Sequence, residues 1–365
     1  MAGVIERATE RLAGVAAYRP GPPSPGPVAG KLSSNEAALG PAPGVRRAIV
    51  AALGTINRYP EQARVVEVLS AHVGVPAEQL VLTNGSDELC YLVAMLLLGP
   101  GRVAVVGDPC YQIDASATIL SGAALRRVPL RDGGHDLDAM ADACAGASVV
   151  WLPSPHNPTG VACDPLELER FIAEVPEDCL VVLDEAYRAF SDPWLQPDVI
   201  RLLASYPNLL VQRTLSKDWA LAGLRVGYAL TSARLARLLA QARAPFSVNA
   251  LALSAIEAAL GNEWWRAMSV ARVREERARL VHALVRCRIE HFPSQANFVT
   301  ARLDPEMLGP ALSASGIVVR SGADLGMPGW ARITVGWAPA MAILRSTLFT
   351  HVRTDPITDP ITMET

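Results

Sequence analysis

What most constrains this chain is a rhythm. Between about residues 80 and 230, short Val- and Leu-rich runs alternate with helical stretches. The runs are LVLTNG (80–85), RVAVVGDP (102–109), ALRRVPL (124–130), SVVWLPSP (148–155), CLVVLDEAY (179–187) and LLVQRTLSK (209–217). Each is compactly apolar and closed by turn or polar residues, which is how a strand buried on both faces of a parallel sheet reads. Helical segments such as 166–172 and 234–242 accompany them. That order predicts an α/β fold with helices on both faces of the sheet. The polar residues gather just past the strand ends: 84–87 (Asn-Gly-Ser-Asp), Asp108, Asn157, Asp184 and 214–217. Ligands bind beyond the carboxyl ends of strands in open α/β sheets, so one site is already sketched.

After about residue 247 the pattern changes. A charged amphipathic helix is expected over roughly 263–286, followed by the short runs QANFVTARL, GIVVRSG and ARITVGW. That is a second, smaller α+β domain, and 365 residues suit two domains. The expected division is an N-terminal arm (1–40), a large domain (41–246), a small domain (247–350) and a flexible tail (351–365) that repeats DPIT. Within the arm, RPGPPSPGPVAG (19–30) holds five prolines and three glycines, so it is expected to lie extended over the surface or a partner.

Composition removes several classes. Half the residues are hydrophobic and 19% are charged, which excludes disorder for most of the chain. A formal charge of −3 excludes the basic footprint of a general nucleic-acid binder. The six cysteines form no CxxC pair, so neither a disulfide framework nor structural zinc is expected, and reduced thiols in a cytoplasmic enzyme are the simpler reading. Glu6 and Glu10 interrupt any signal peptide, and the longest apolar run, 89–98, is about half of what a membrane span needs. No membrane partner and no metal are expected.

The segment that carries most chemistry is RTLSKDWALAGLRVGY (213–228). The chain has two lysines, Lys31 and Lys217, all other basic residues being arginine. Lys217 sits at a strand-to-helix turn in otherwise apolar sequence, where desolvation favours the neutral amine and a Schiff base becomes possible. Arginine cannot form an imine. Asp184 closes an apolar strand, either as a cap for the next element or as partner of a buried cation, and Tyr187 follows three residues on. Asn157 in SPHNPTG is either a turn initiator or an amide donor to a phenolate oxygen. Ser86 suits a helix N-cap whose first-turn N–H groups hold a phosphate, and Ser216 and Arg225 could complete that cradle. Tyr111 either stacks on an aromatic ring or packs in the core.

Together NPTG, DEAY and SK followed by LAGLRVGY resemble the fold-type I pyridoxal-phosphate aminotransferases. The gaps agree: Asn157, Asp184, Lys217 and Arg225 are spaced by 27, 33 and 8 residues. Within that superfamily the chain is most similar to the histidinol-phosphate aminotransferase branch, and to a related aromatic amino acid aminotransferase. The motifs are KLSSNE (31–36), NRYPE (57–61), AYRPG (17–21), SQANFV (294–299), GIVVR (316–320) and RITVG (332–336). The resemblance implies a mostly parallel seven-stranded sheet in the large domain and a homodimer with shared active sites. It implies that Lys217 binds pyridoxal 5′-phosphate covalently and shuttles a proton, and that Asp184 pairs with the ring nitrogen. Asn157 and Tyr187 would hold the phenolic oxygen, and Tyr111 would stack on the ring. The backbone of Ser86 and Asp87, with Ser216 and Arg225, would bind the phosphate, joined by Tyr59 of the other subunit, and Thr214 would also meet the cofactor. Tyr18, Asn35, Arg320 and Arg332 would meet the substrate.

Two departures bear on substrate. The family usually reads NENPYG where this chain has Asn35-Glu36-Ala37-Ala38-Leu39-Gly40, and His156 stands where the family commonly has Asn. A hydrogen-bonded structural role is expected for His156. The leading function is transfer of an amino group between an imidazole or aromatic amino compound and a 2-oxo acid such as 2-oxoglutarate. The alternatives are a threonine-phosphate-type decarboxylase, a pathway-specific aminotransferase of specialised metabolism, and a non-catalytic binding protein on the same scaffold. The last is disfavoured because Lys217 and Asp184 are both kept.

Overall fold

Alternating residues of the central strands build two cores at once. In the computed structural model, which describes residues 3–15, 17, 30–303 and 305–351, Val105, Val150, Val181 and Val211 face one helical layer. Their neighbours Ala104, Val106, Val149, Trp151, Val182 and Leu210 face the other. The period-2 alternation of strand side chains thus feeds helices on both faces, each fully buried aliphatic side chain contributing about 1.5–3 kcal/mol.

The large sheet holds seven strands: β2 (Leu80–Thr83), β3 (Val103–Asp108), β4 (Ala124–Pro129), β5 (Val149–Pro153), β6 (Leu180–Asp184), β7 (Leu209–Thr214) and β8 (Gly227–Leu230). Their order is β2-β8-β7-β6-β5-β3-β4, parallel except for β8, which runs antiparallel to both β7 and β2. A smaller four-stranded sheet orders β1-β10-β11-β9, from β1 (Lys31–Leu32), β9 (Phe298–Ala301), β10 (Val318–Ser321) and β11 (Ala331–Thr334). β1 pairs parallel to β10, so residues before the large sheet complete the small one.

Five of the six expected runs are strands buried along most of their length. The exception is ALRRVPL. β4 is the sheet edge, and within it only Val128 is buried. Its Arg126 and Arg127 face outward, which suits an edge and corrects the expectation of a strand covered on both faces. β8 did not register as a separate run, because four residues inside the lysine segment carry too short a pattern.

Helices fall close to expectation: Pro165–Glu174, Ala233–Ala242 and Glu263–Arg286. The first starts with Pro at its first position and Asp164 as N-cap, accepting from the N–H groups of Leu166 and Glu167. The last buries Val270, Val273, Arg277, Leu280 and Leu284, one stripe at helical spacing. The apolar run 89–98 lies largely in the helix Gly85–Leu97, which buries Leu89, Cys90, Leu92 and Val93 but exposes Tyr91, Met95 and Leu96, and no helix among the described residues is long and apolar enough to cross a membrane. The expected extended arm (19–30), apart from Gly30, and the tail beyond His351 lie outside the described residues.

Candidate active site

The strand order reverses direction between β3 and β5, and the carboxyl ends of β3, β5, β6 and β7 open there into two adjoining cavities. The smaller, about 80 Å³, is lined by Ser86, Asp87, Tyr111, Asn157, Asp184, Tyr187, Thr214, Ser216, Lys217 and Arg225. The larger, about 590 Å³, shares Tyr111, Asn157, Tyr187 and Lys217 and adds Asn35, Arg320 and Arg332. Chain segments nearly 300 residues apart therefore converge on one place. Two expected residues stand outside this comparison. Tyr59 is 78% exposed, stacked on Phe246 at 4.4 Å between ring centroids, and Tyr18 lies outside the described residues.

One end of the small cavity is a cradle of backbone and guanidinium. The helix Gly85–Leu97 begins here, with its first turn packed closely against Gly227 of β8 and Arg225 beside Gly85. A Cβ at Gly227 would lie 2.5 Å from Ser86 N, and one at Gly85, whose φ is +77°, would lie 2.6 Å from Arg225 Nη2. Asn84, not Ser86, occupies the N-cap position, and Ser86 stands inside the first turn with no side-chain cap. That corrects the capping expectation; Ser86 and Asp87 of this first turn line the cavity, at the helix end whose N–H groups lack intrahelical acceptors. Arg225 donates to Asp87 Oδ2 (3.1 Å), and Tyr111 donates its hydroxyl to Asp87 Oδ1 (3.0 Å). Burial and the Asp87 charge hold the Tyr111 phenol well above its ordinary range, so it stays a neutral donor. Ser216 N donates to Thr214 Oγ1 (3.1 Å), and Thr214 in turn donates to Val226 O (3.1 Å), which fixes the turn before Lys217.

At the other end lies an acid that wants a cation. Burial pushes the Asp184 carboxyl up to about 7, against the pull of the Ala186 N–H that Oδ1 accepts at 2.8 Å. A positive group placed against it would restore the ionised form. Lys217 is half-buried on the cavity wall rather than sealed in the core, with Nζ 5.6 Å from the Tyr187 ring centroid. Asn157 accepts from Arg332 Nη1 at 2.7 Å through Oδ1, which leaves its Nδ2 as the donor end. Tyr187 accepts from Asn35 Nδ2 at 3.0 Å. Asn35 adopts φ +53° and is clamped by Thr334 and Asn297: its N–H donates to Thr334 Oγ1 (2.9 Å), and its carbonyl accepts from Asn297 Nδ2 (3.1 Å).

The resulting set fits the cofactor that the sequence resemblance implies. A buried acid, a primary amine, an amide donor, a tyrosine held by Asp87 and the first turn of a helix beside Arg225 all line one small cavity of about 80 Å³. Among the described residues no cluster of three or more His, Cys, Asp or Glu could hold a metal ion.

Arg320 and Arg332 are cross-strand partners on β10 and β11, 5% and 7% exposed. Arg320 Nε is 3.7 Å from Asp324, and Arg332 Nη2 donates to Ser33 O at 3.0 Å. His156 is wholly buried, its Nδ1 2.9 Å from Thr159 Oγ1 and its ring edge-on to His135 at 4.6 Å. Burial and the neighbouring imidazole hold it well below the ordinary histidine range, so it serves the structure as a neutral ring. Sequence reasoning passed over Asn297, Thr334 and Gln212, which orient the residues it did find. The available signal for Gln212 was an amide at a strand position whose alternation points into the core.

Residues 30–343 match the family model described as aminotransferase class I and II. The chain is 40% identical over 314 residues to histidinol-phosphate aminotransferase 1 of Dechloromonas aromatica, covering 86% of this chain and 87% of that protein. It is 41% identical over 312 residues to histidinol-phosphate aminotransferase 1 of Thiobacillus denitrificans, covering 84% and 81%. Among solved structures it is similar to histidinol-phosphate aminotransferase of Sinorhizobium meliloti in complex with pyridoxal-5′-phosphate. There the TM-score is 0.82 and the identity 26%, with 89% and 91% of the two chains covered.

Proposed function

This chain belongs to the class I and II aminotransferase family and is a pyridoxal-phosphate enzyme, and we propose that it moves an amino group between histidinol phosphate and a 2-oxo acid such as 2-oxoglutarate. The observation that carries this reading is the pair Arg320 and Arg332. Two guanidinium groups side by side on one cavity wall offer a phosphate dianion paired, charge-assisted donors, a better match than for a single carboxylate. Both arginines line the cavity that Lys217 also lines. The names of the similar relatives support the same substrate.

When bound, pyridoxal phosphate supplies a carbonyl that condenses with amines and a ring that acidifies the hydrogen on the substrate Cα. Lys217 would anchor it and, through Nζ, take and return that proton. Asp184 would stay ionised against the ring nitrogen. Asn157, through Nδ2, and Tyr187, through its hydroxyl, would hold the phenolic oxygen, and Tyr111 would lie against the ring. The first-turn N–H groups of Ser86 and Asp87, with Thr214, Ser216 and Arg225, would hold the phosphate. Tyr59, exposed and outside both cavities of its own chain, would serve the site of a second copy in a homodimer. Asn35 orients Tyr187 from the substrate side.

The test is a titration of the loaded enzyme with histidinol phosphate, phenylalanine and tyrosine, following the absorbance of the bound cofactor. Histidinol phosphate should discharge it at the lowest concentration, and 2-oxoglutarate should restore it. An aromatic amino acid acting at lower concentration would replace the substrate assignment, and release of carbon dioxide would replace the reaction. No change with any amine would remove the reading.

A further inference from the structure

Behind Asp184 the core is not apolar. Asp184 Oδ2 accepts from Gln212 Nε2 at 3.1 Å. Gln212, on β7, is 1% exposed and shares its face of the sheet with Leu210, among the side chains of the helix Gly85–Leu97. Its Oε1 lies 3.6 Å from Cys90 Sγ, and Cys90 Sγ lies 3.5 Å from Asp114 Oδ1. Cys90 is wholly buried and Asp114 nearly so. Four side chains from two strands and two helices thus make one line from the floor of the site into a core otherwise built from Leu89, Val93, Ala117 and Leu210. Burying an acid and an amide there costs stability unless every polar atom finds a partner, so the arrangement calls for a reason.

Hydrogen counting gives the line a direction. Gln212 must turn its NH₂ end toward Asp184, so its Oε1 is an acceptor that needs a donor. The Cys90 thiol has one hydrogen and three acceptors in reach: Gln212 Oε1, Asp114 Oδ1 and Ser86 O at 3.7 Å. The thiol is the donor toward both Asp114 Oδ1 and Gln212 Oε1, and protonation of Asp114 would leave its single hydrogen to Gln212. Burial, with the charges of Asp184 and Asp87 nearby, holds the Asp114 carboxyl well above its ordinary range and supports that state. Further ionisable groups around the line are Glu185 beside Asp184, Tyr91 and Tyr111 near Cys90, and Cys110 with Arg127 near Asp114.

We propose that Gln212, held in place by Cys90 and Asp114, is a positioning residue that keeps the Asp184 carboxylate oriented and ionised against the cofactor ring nitrogen. The proposal rests on the pyridoxal-phosphate reading above. It assigns function to three residues that touch neither cofactor nor substrate. Losing one hydrogen bond to a buried carboxylate favours its neutral form, and the expected loss in cofactor affinity and turnover is about ten- to a hundredfold.

The experiment compares the full-length holoenzyme with Gln212→Met, Cys90→Ala and Cys90→Ser. Four quantities are read: pyridoxal-phosphate affinity, the pH at which the bound cofactor's absorbance changes, kcat and KM for the amino donor, and the melting temperature. Gln212→Met keeps the volume. It should weaken cofactor binding and lower kcat by about tenfold or more and move the absorbance transition by about one pH unit. KM should stay within about twofold, because Arg320 and Arg332 are untouched. Cys90→Ala should move in the same direction, and Cys90→Ser, which can still donate, should recover most of the loss. A lowered melting temperature with wild-type affinity, transition and kcat would make the cluster a packing feature and overturn the proposal. So would equal behaviour of the two Cys90 variants, which decide the matter alone if Gln212→Met does not fold. Failure of the wild type to take up cofactor would overturn the parent reading along with this one.

Discussion

Replacing Gly227 by alanine is expected to loosen the phosphate cradle far more than it unfolds the protein. The new Cβ would lie 2.5 Å from both Gly85 C and Ser86 N, and 2.9 Å from Gly85 O. Ordinary contact begins at 3.4 Å, so strand and helix must separate by about 0.9 Å. Both sides of the clash are backbone, and no side chain can turn aside. β8 is fixed by its pairing with Thr214 on β7 and Thr83 on β2, so the first turn of the helix Gly85–Leu97 is what gives way. Overpacking of this kind costs about 1–3 kcal/mol of stability, a fall of a few degrees in Tm. Displacing anion-binding groups by nearly 1 Å can cost about a hundredfold in function. Pyridoxal-phosphate affinity, followed by fluorescence quenching, should therefore drop by at least about tenfold while the fold persists. Gly223→Ala is the internal control, because nothing lies within 4 Å of a Cβ there. Equal cofactor affinity in the two variants would refute the reasoning.

Three further outcomes are expected. Lys217→Ala should abolish turnover while the protein still takes up pyridoxal phosphate reversibly, and borohydride should no longer fix the cofactor to the chain; retained activity or a persistent adduct would count against the assignment. Arg320→Gln should raise KM for histidinol phosphate by about ten- to a hundredfold, the range for a lost hydrogen bond to a charged group, and affect an aromatic amino acid less; equal steady-state KM values for wild type and variant would remove the arginine pair as the phosphate site. His135 is held down to about 4 by burial, so the unfolded chain takes its proton first as pH falls. Its share of stability is intact above about pH 6.5 and is lost progressively toward pH 4, about 3 kcal/mol in all. Urea unfolding at pH 7.5 and 4.5 should show a shallower pH dependence for His135→Asn than for wild type, and equal slopes would refute this.

Much of the site was legible before any coordinates. A lysine kept among arginines, an acid at the mouth of a buried strand and an amide after another are local features, each needing only its neighbours in sequence to be noticed. Their convergence followed from the rule that parallel strands present their carboxyl ends to one edge of the sheet. The misreadings were local too. Ser86 stands one position past the start of the first turn rather than at the cap, and ALRRVPL is an edge strand because β4 ends the strand order of the large sheet.

Sequence alone determined which residue types lie at the strand ends, because strand period and turn chemistry act over a handful of residues. Only the tertiary structure decided which of them meet. Gln212 reaches Cys90 across 122 residues, and Arg332 reaches Asn157 across 175. Arg320 faces Arg332 through an antiparallel register that a shift of one residue would undo. Such contacts depend on how sheets, helices and chain ends pack around a shared core, and no short-range pattern encodes that packing.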